Sequence, residues 1–222
     1  APDRPRTARC APPGGPPLSD VKAVAIGTGR FMRGIVIPAV LDAVGDVIIA
    51  QTRGSSFSKK VVDSWRRRQS SGETSTGLTF EVATSSHTDD ANPTLRPCRV
   101  VAVGTLDTED GRQAFVSLPP QLPALRLLLV GIQPSEVQPD SPAMRDLGAF
   151  LRARFQSNGR ALSVVDTSFD ATGDSDGEGG TRLAKVVRAV CAASSEDERF
   201  LRWVITDVTF HNCVPESAVS VY

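Results

Sequence analysis

Between Ile26 and Ile35 the chain reads Gly27-Thr28-Gly29-Arg30-Phe31-Met32-Arg33-Gly34, a concentration of glycine and arginine suited to holding an anion. Gly27 permits a tight turn, and Gly29 lets a group as large as a pyrophosphate come close to the backbone. A helix opening just beyond offers unpaired N–H groups to the same anion. Arg30 and Arg33 add positive charge nearby. The run departs from the GxGxxG pattern of dinucleotide loops, because Met32 holds the third glycine position and Gly34 comes two residues late. The structural alternative is a glycine turn that only joins a strand to a helix. Further along, Gln51-Thr52-Arg53 stands where such loops commonly carry an acid for ribose hydroxyls. Gln51 can still hydrogen-bond a ribose, and Arg53 can pair with a 2′-phosphate, which leaves NADP(H) open. Arg53 as a solvated loop residue is the competing reading.

These residues need a strand before them and a helix after. Val21 to Ile26 is an unbroken apolar run, the pattern of a strand buried on both faces. From Phe31 onward apolar residues recur at Ile35, Val36, Ala39, Val40 and Ala43, a helical spacing, with Pro38 expected to kink it. Val47–Ala50 is the next buried strand, so residues 21 to 54 form a β-α-β unit. Phe57–Arg68 is predicted helical with Trp65 on its apolar face. The segments 78–83, 98–106 and 113–118 alternate and read as inserted antiparallel hairpins. Leu125–Ile132 and Ala161–Val165 are further strands; Ser141–Phe155 and Thr181–Ala193 are helices. Ser195-Glu196-Asp197-Glu198 reads as a capping box opening a last helix through Phe200, Leu201, Trp203 and Val204. The alternation predicts an α/β fold, a doubly wound and mainly parallel sheet.

Composition fits that class. The 222 residues carry 25 Lys and Arg against 25 Asp and Glu, a net charge of zero, which argues against nucleic-acid or membrane-surface partners. No apolar run approaches the ~18 residues of a membrane span. The 4 cysteines, at 10, 98, 191 and 213, are too sparse for a disulfide framework and wrongly spaced for zinc. A cytoplasmic location is expected. Residues 1–19, rich in Pro and Arg, read as a disordered leader, either a linker or an organellar transit-peptide remnant. Residues 20–222 then make one domain.

Other constellations carry little chemistry. Asp170, Asp174, Asp176, Gly177 and Glu178 suggest a calcium loop, but alignment puts Thr172 and Leu183 at the first and last ligand positions, so a solvated acidic loop is preferred. His87 and His211 have no GxSxG serine to serve. Arg66-Arg67-Arg68 suits a helix C-terminus. No metal site is expected.

The glycine loop GTGRFMRG resembles that of the mannitol dehydrogenase family, polyol-specific long-chain dehydrogenases and reductases whose loop often lacks the third glycine. LRLLLVGIQPSEV, LSVVDTSFDATGDSDGEGG and FLRWVITDVTFHNCVPE are similar in place to later segments of that family's N-terminal domain, with departures at 133–136 and 166–180. The closest likeness is to the algal mannitol-1-phosphate 5-dehydrogenase branch. The resemblance implies a Rossmann-like domain with an inserted hairpin segment, binding NAD(H), whose substrate is a small polyol or polyol phosphate. It places Gly27, Thr28, Gly29, Arg30, Phe31, Met32 and Arg33 at the pyrophosphate, Gln51 and Arg53 at the adenosine ribose, and Gln133 at the adjoining turn. Asp166, Thr167 and Ser168 fall at the nicotinamide end, with Asn212 and Glu216 on the substrate side. The family's catalytic Lys, Asn and His sit on a second, helical domain. No such helix occurs in this sequence, so no catalytic residue is assigned and the chain reads as the cofactor half of an enzyme. A hexuronate (tagaturonate-type) reductase and a non-catalytic nucleotide-binding module are the alternatives.

Overall fold

The computed structural model describes residues 17–72, 77–84, 94–167 and 181–212. After a short turn at Leu18–Asp20, β1 (Ala23–Ile26) leads into a helical segment that ends as α1 (Ile37–Val44). Then follow β2 (Val47–Gln51), α2 (Ser56–Ser70), β3 (Leu78–Thr84), β4 (Thr94–Val100) and β5 (Ala102–Thr105). The rest is α3 (Glu109–Val116), β6 (Leu127–Val130), α4 (Pro142–Ser157), β7 (Leu162–Asp166), α5 (Arg182–Ser194), α6 (Glu198–Thr206) and β8 (Val208–Asn212).

Six strands form one sheet in the order β5-β2-β1-β6-β7-β8, every pairing parallel. Numbered along the chain among themselves, these strands run 3-2-1-4-5-6, the Rossmann order. β3 and β4 form a separate antiparallel pair with Leu78 opposite Val100.

Alternate residues of each central strand feed opposite sides. Val24, Ile26, Ile48, Ala50, Leu128 and Val130 join one buried cluster with α3 to α6. Ala23, Ala25, Val47, Ile49 and Leu129 join a second with α1, α2 and the β3–β4 pair. Burial on both faces is what makes these strands read as continuous apolar runs.

Several expectations are corrected. The stretch 98–106 divides: 98–100 close β4, antiparallel to β3 as expected, whereas β5 starts at Ala102 and belongs to the parallel sheet. Residues 113–118 lie mainly in α3, which Thr108 starts by accepting a hydrogen bond from the Gly111 N–H at 3.2 Å. The N-cap of α6 is Asp197, accepting from Arg199 and Phe200, so Ser195 opens no capping box. β8 is a sixth parallel strand, beyond those expected from the sequence pattern. Instead of a simple kink at Pro38, the helix widens into a π-helical turn over Met32–Val36, just ahead of the proline. A proline ring collides with the carbonyl four residues back and donates no N–H, and a wider turn relieves both problems. The leader before Pro17, and the acidic loop between Thr167 and Thr181, lie outside the described residues.

On α4, burial pushes the Asp146 carboxyl up to about 6, against the opposing pull of Arg112. A raised folded-state value favours folding when the group is protonated, so this contribution is present below its ordinary range and is lost as pH rises through about 6. Asp146→Asn should therefore stabilise the protein at pH 7.5 and have little effect near pH 4. Partial exposure holds the gain to about 1 kcal/mol, a rise of about 2–4 °C in melting temperature. Equal effects at both pH values in thermal scans would contradict this.

Candidate functional site

The strand order reverses between β1 and β6, where crossovers leave to opposite sides, the place at which doubly wound sheets generally form a crevice at the carboxyl ends of their strands. The β1–β2, β1–β6 and β6–β7 ladders each run one residue past their strands at this rim. Gly27 N donates to Ala50 O at 2.8 Å, Gly131 N to Ile26 O at 2.7 Å, and Thr167 N to Val130 O at 2.9 Å. The glycine loop is thus anchored on both sides at its first residue.

Gly27 has φ +101°, and a Cβ there would lie 2.2 Å from Gly131 O. No side chain fits: the backbones after β1 and β6 touch. Gly29 is the opposite case, exposed, with nothing within 4 Å of where its Cβ would be. Among the described residues, no backbone carbonyl accepts from the Thr28, Gly29 or Arg30 N–H. The bend therefore presents bare amides to open space at the start of a helix, the chemistry of an anion seat.

Met32 has another role than the one expected. It is 1 % exposed, part of the core, and its Cε lies 2.7 Å from where a Gly131 Cβ would be. In the usual loop the third glycine allows helix and strand to pack closely. Here the large side chain sits on the helix and the glycine is moved to the neighbouring loop.

Of the other expected contacts, Arg30 and Phe31 are exposed beside the loop, and Thr28 is half-buried. Arg33 turns toward α2, its guanidinium carbon 5.1 Å from the centre of the Phe57 ring and its Nε enclosed with no hydrogen-bond partner. Gln51 is buried and works inward: Oε1 accepts from Ser58 N at 3.0 Å and Nε2 donates to Arg53 O at 2.6 Å. It braces the loop after β2 instead of offering its amide to a ribose. Arg53 is no free loop residue, since its Nε donates to Glu136 Oε1 at 2.7 Å. Glu136 lies in the turn after β6, so this ion pair joins the two loops flanking the glycine bend. Glu136 escaped sequence reasoning because its partner is 83 residues away along the chain.

Gln133 is exposed at the same rim, and its carbonyl accepts from Glu136 N at 2.8 Å. Asp166 is buried at the end of β7 and pairs in register with the exposed Asn212 of β8. Thr167 spends both donors on one acceptor, its N–H and Oγ1 reaching Val130 O at 2.9 and 3.1 Å. Ser168 and Glu216 lie outside the described residues, as does His87. His211 is exposed on β8.

Elsewhere the chemistry is sparse. Cys98 and Cys191 are buried free thiols, and burial pushes Cys191 up to about 11, far from a reactive thiolate. Among the described residues no cluster of His, Cys, Asp and Glu is arranged to hold a metal, and no helix is long and apolar enough to cross a membrane. A groove of about 700 Å³ at the opposite, amino-terminal rim is lined by Arg126, Arg160 and Asp207 among others, away from the strand-order reversal.

Fold and rim together define a Rossmann-like α/β protein with an open glycine bend at its switch point. No protein-family model matches the chain, and no curated protein matches it either.

The contact between the two loops should be visible in stability. Gly27→Ala forces a Cβ onto a backbone carbonyl and is expected to destabilise by about 3 kcal/mol or more in urea unfolding. Gly131→Ala meets the movable ends of Met32 and Thr167 and should lose only about 1 kcal/mol. Equal, small losses would show that the loops do not touch.

Proposed function

We propose that the chain binds a nicotinamide dinucleotide, NAD(H) or NADP(H), at the Gly27–Arg33 loop. In this reading it is the cofactor-binding part of an oxidoreductase interconverting a sugar alcohol, or its phosphate, with the corresponding keto sugar. The observation that carries the dinucleotide is the set of unengaged amides at Thr28, Gly29 and Arg30, placed where the strand order reverses. The resemblance of the four quoted segments to the mannitol dehydrogenase family supports the substrate class.

The residues present fit the group. The Gly29 position leaves room for a diphosphate against the backbone, the Thr28–Arg30 amides would donate to its oxygens, and Arg30 adds charge. The adenosine end would lie over β2 and β5, and the other end over β6 and β7 near Asp166. When bound, the nicotinamide supplies the hydride donor or acceptor. Oxidation of a secondary alcohol also removes the hydroxyl proton, so a base has to touch that hydroxyl. Family resemblance assigns that base to a Lys with Asn and His on a helical domain, and no residue described at this rim is given that role.

The test is Gly29→Val. With open space around Gly29, the variant should fold, its melting temperature moving by no more than about 2 °C. Its branched side chain would occupy the diphosphate seat, and affinity for NAD⁺ or NADP⁺ by titration calorimetry should fall at least about tenfold. A folded wild-type chain that binds neither dinucleotide contradicts the proposal. Hydride-transfer assays with mannitol, mannitol 1-phosphate and tagaturonate, run on a polypeptide that also carries the helical domain with its Lys, Asn and His, then separate the polyol reading from the hexuronate one.

A further inference from the structure

The loop after β2 is fastened from two directions. Gln51 holds the Arg53 carbonyl from below at 2.6 Å, and Thr105 Oγ1, at the end of β5, donates to Gly54 O at 2.6 Å. Gly54 itself has φ +59°. Arg53 therefore projects from a braced turn, two residues past a strand whose end lies beside the glycine bend. No acid occurs between Gln51 and Ser55, and the Gln51 amide is committed inward, so the end of β2 supplies no carboxylate for a ribose diol.

What the turn does supply is positive charge. Arg53 meets Glu136 through Nε alone, and among the described residues neither of its Nη groups donates a hydrogen bond. The side chain is 55 % exposed, and an ion pair this wet is weak and easily exchanged. Arg33 adds a second cation on the same flank, stacked on Phe57 in the first turn of α2, with its enclosed Nε unpartnered. Glu136 thus stands as a single carboxylate facing a guanidinium whose terminal fork is free. A phosphate dianion is a stronger, bidentate partner for that fork.

We infer that Arg53 reads a phosphate on the adenosine ribose, so that the cognate dinucleotide is of the 2′-phosphorylated class, NADP(H), and that Glu136 is the internal carboxylate this phosphate displaces. The inference rests on the reading of the glycine loop as a diphosphate seat. It adds that the loop after β2 selects between the two dinucleotides, and that an ion pair spanning the crevice opens when the selected one binds.

The experiment is calorimetric titration of the full chain with NADP⁺ and, separately, NAD⁺, for wild type, Arg53→Gln and Glu136→Gln. Wild type should bind NADP⁺ at least about tenfold more tightly than NAD⁺. Arg53→Gln should bring the two affinities to within about twofold by weakening NADP⁺ alone. Glu136→Gln should strengthen NADP⁺ severalfold, and by more than NAD⁺. Equal affinities in wild type, a preference for NAD⁺, or an Arg53→Gln variant with an unchanged ratio would overturn this inference and leave the diphosphate seat standing. Binding of neither nucleotide overturns both.

Discussion

The loops after β1 and β6 approach so closely that the residue on the β1 side of the contact, Gly27, has no room for a side chain. Gly27, in the left-handed region, lies against Gly131 O, and both N–H groups complete parallel ladders at the rim. Adjacent parallel strands are held about 4.8 Å apart by their hydrogen bonds. Where the crossovers leave toward opposite sides, the left-handed turn at Gly27 lets the β1 chain pass the Gly131 carbonyl without collision. The position of the glycine bend, the start of the first helix and the width of the crevice all follow from that contact. The handedness of the fold makes the site, and the side chains only furnish it.

Met32 illustrates how the contact propagates. Its methyl group fills the space beside Gly131 that a shorter residue would leave empty, and the helix around it opens into a π turn before Pro38. That turn carries Arg33 toward Phe57 and leaves Arg30 and Phe31 at the surface. Departures from the usual glycine spacing thus form one connected set: the glycine lost from the helix reappears in the neighbouring loop. The ion pair between Arg53 and Glu136 is the counterpart on the outer side, a weak link across two loops that the sheet has already brought together.

Much of this was legible in the chain, for a physical reason. Strands buried on both faces leave unbroken apolar runs, so β1, β2 and β6 could be placed from sequence, and the glycine loop between β1 and its helix with them. β5 was not, because only Val101 separates it from the antiparallel β4 and no turn residue marks the change of sheet. α3 was missed because its signal is the Thr108 cap and not an apolar stripe, and only Phe115 on it is buried. β8 is an edge strand with one buried residue, Val208, and gives no strong pattern. At the site, Gln51 and Arg53 were singled out by residue type, but side-chain direction is a tertiary property. Nothing local says that Gln51 points inward to Ser58 or that Arg53 finds a carboxylate in the turn after β6.

The bare amides at the glycine bend can be observed one by one. In a ¹H–¹⁵N correlation spectrum, addition of NADP⁺ or NAD⁺ should move the Thr28, Gly29 and Arg30 amide protons downfield as phosphate oxygens accept from them. Residues at the amino-terminal rim, Arg126, Arg160 and Asp207, should stay fixed. Shifts confined to that opposite rim, with the glycine bend unmoved at saturating nucleotide, would contradict the account.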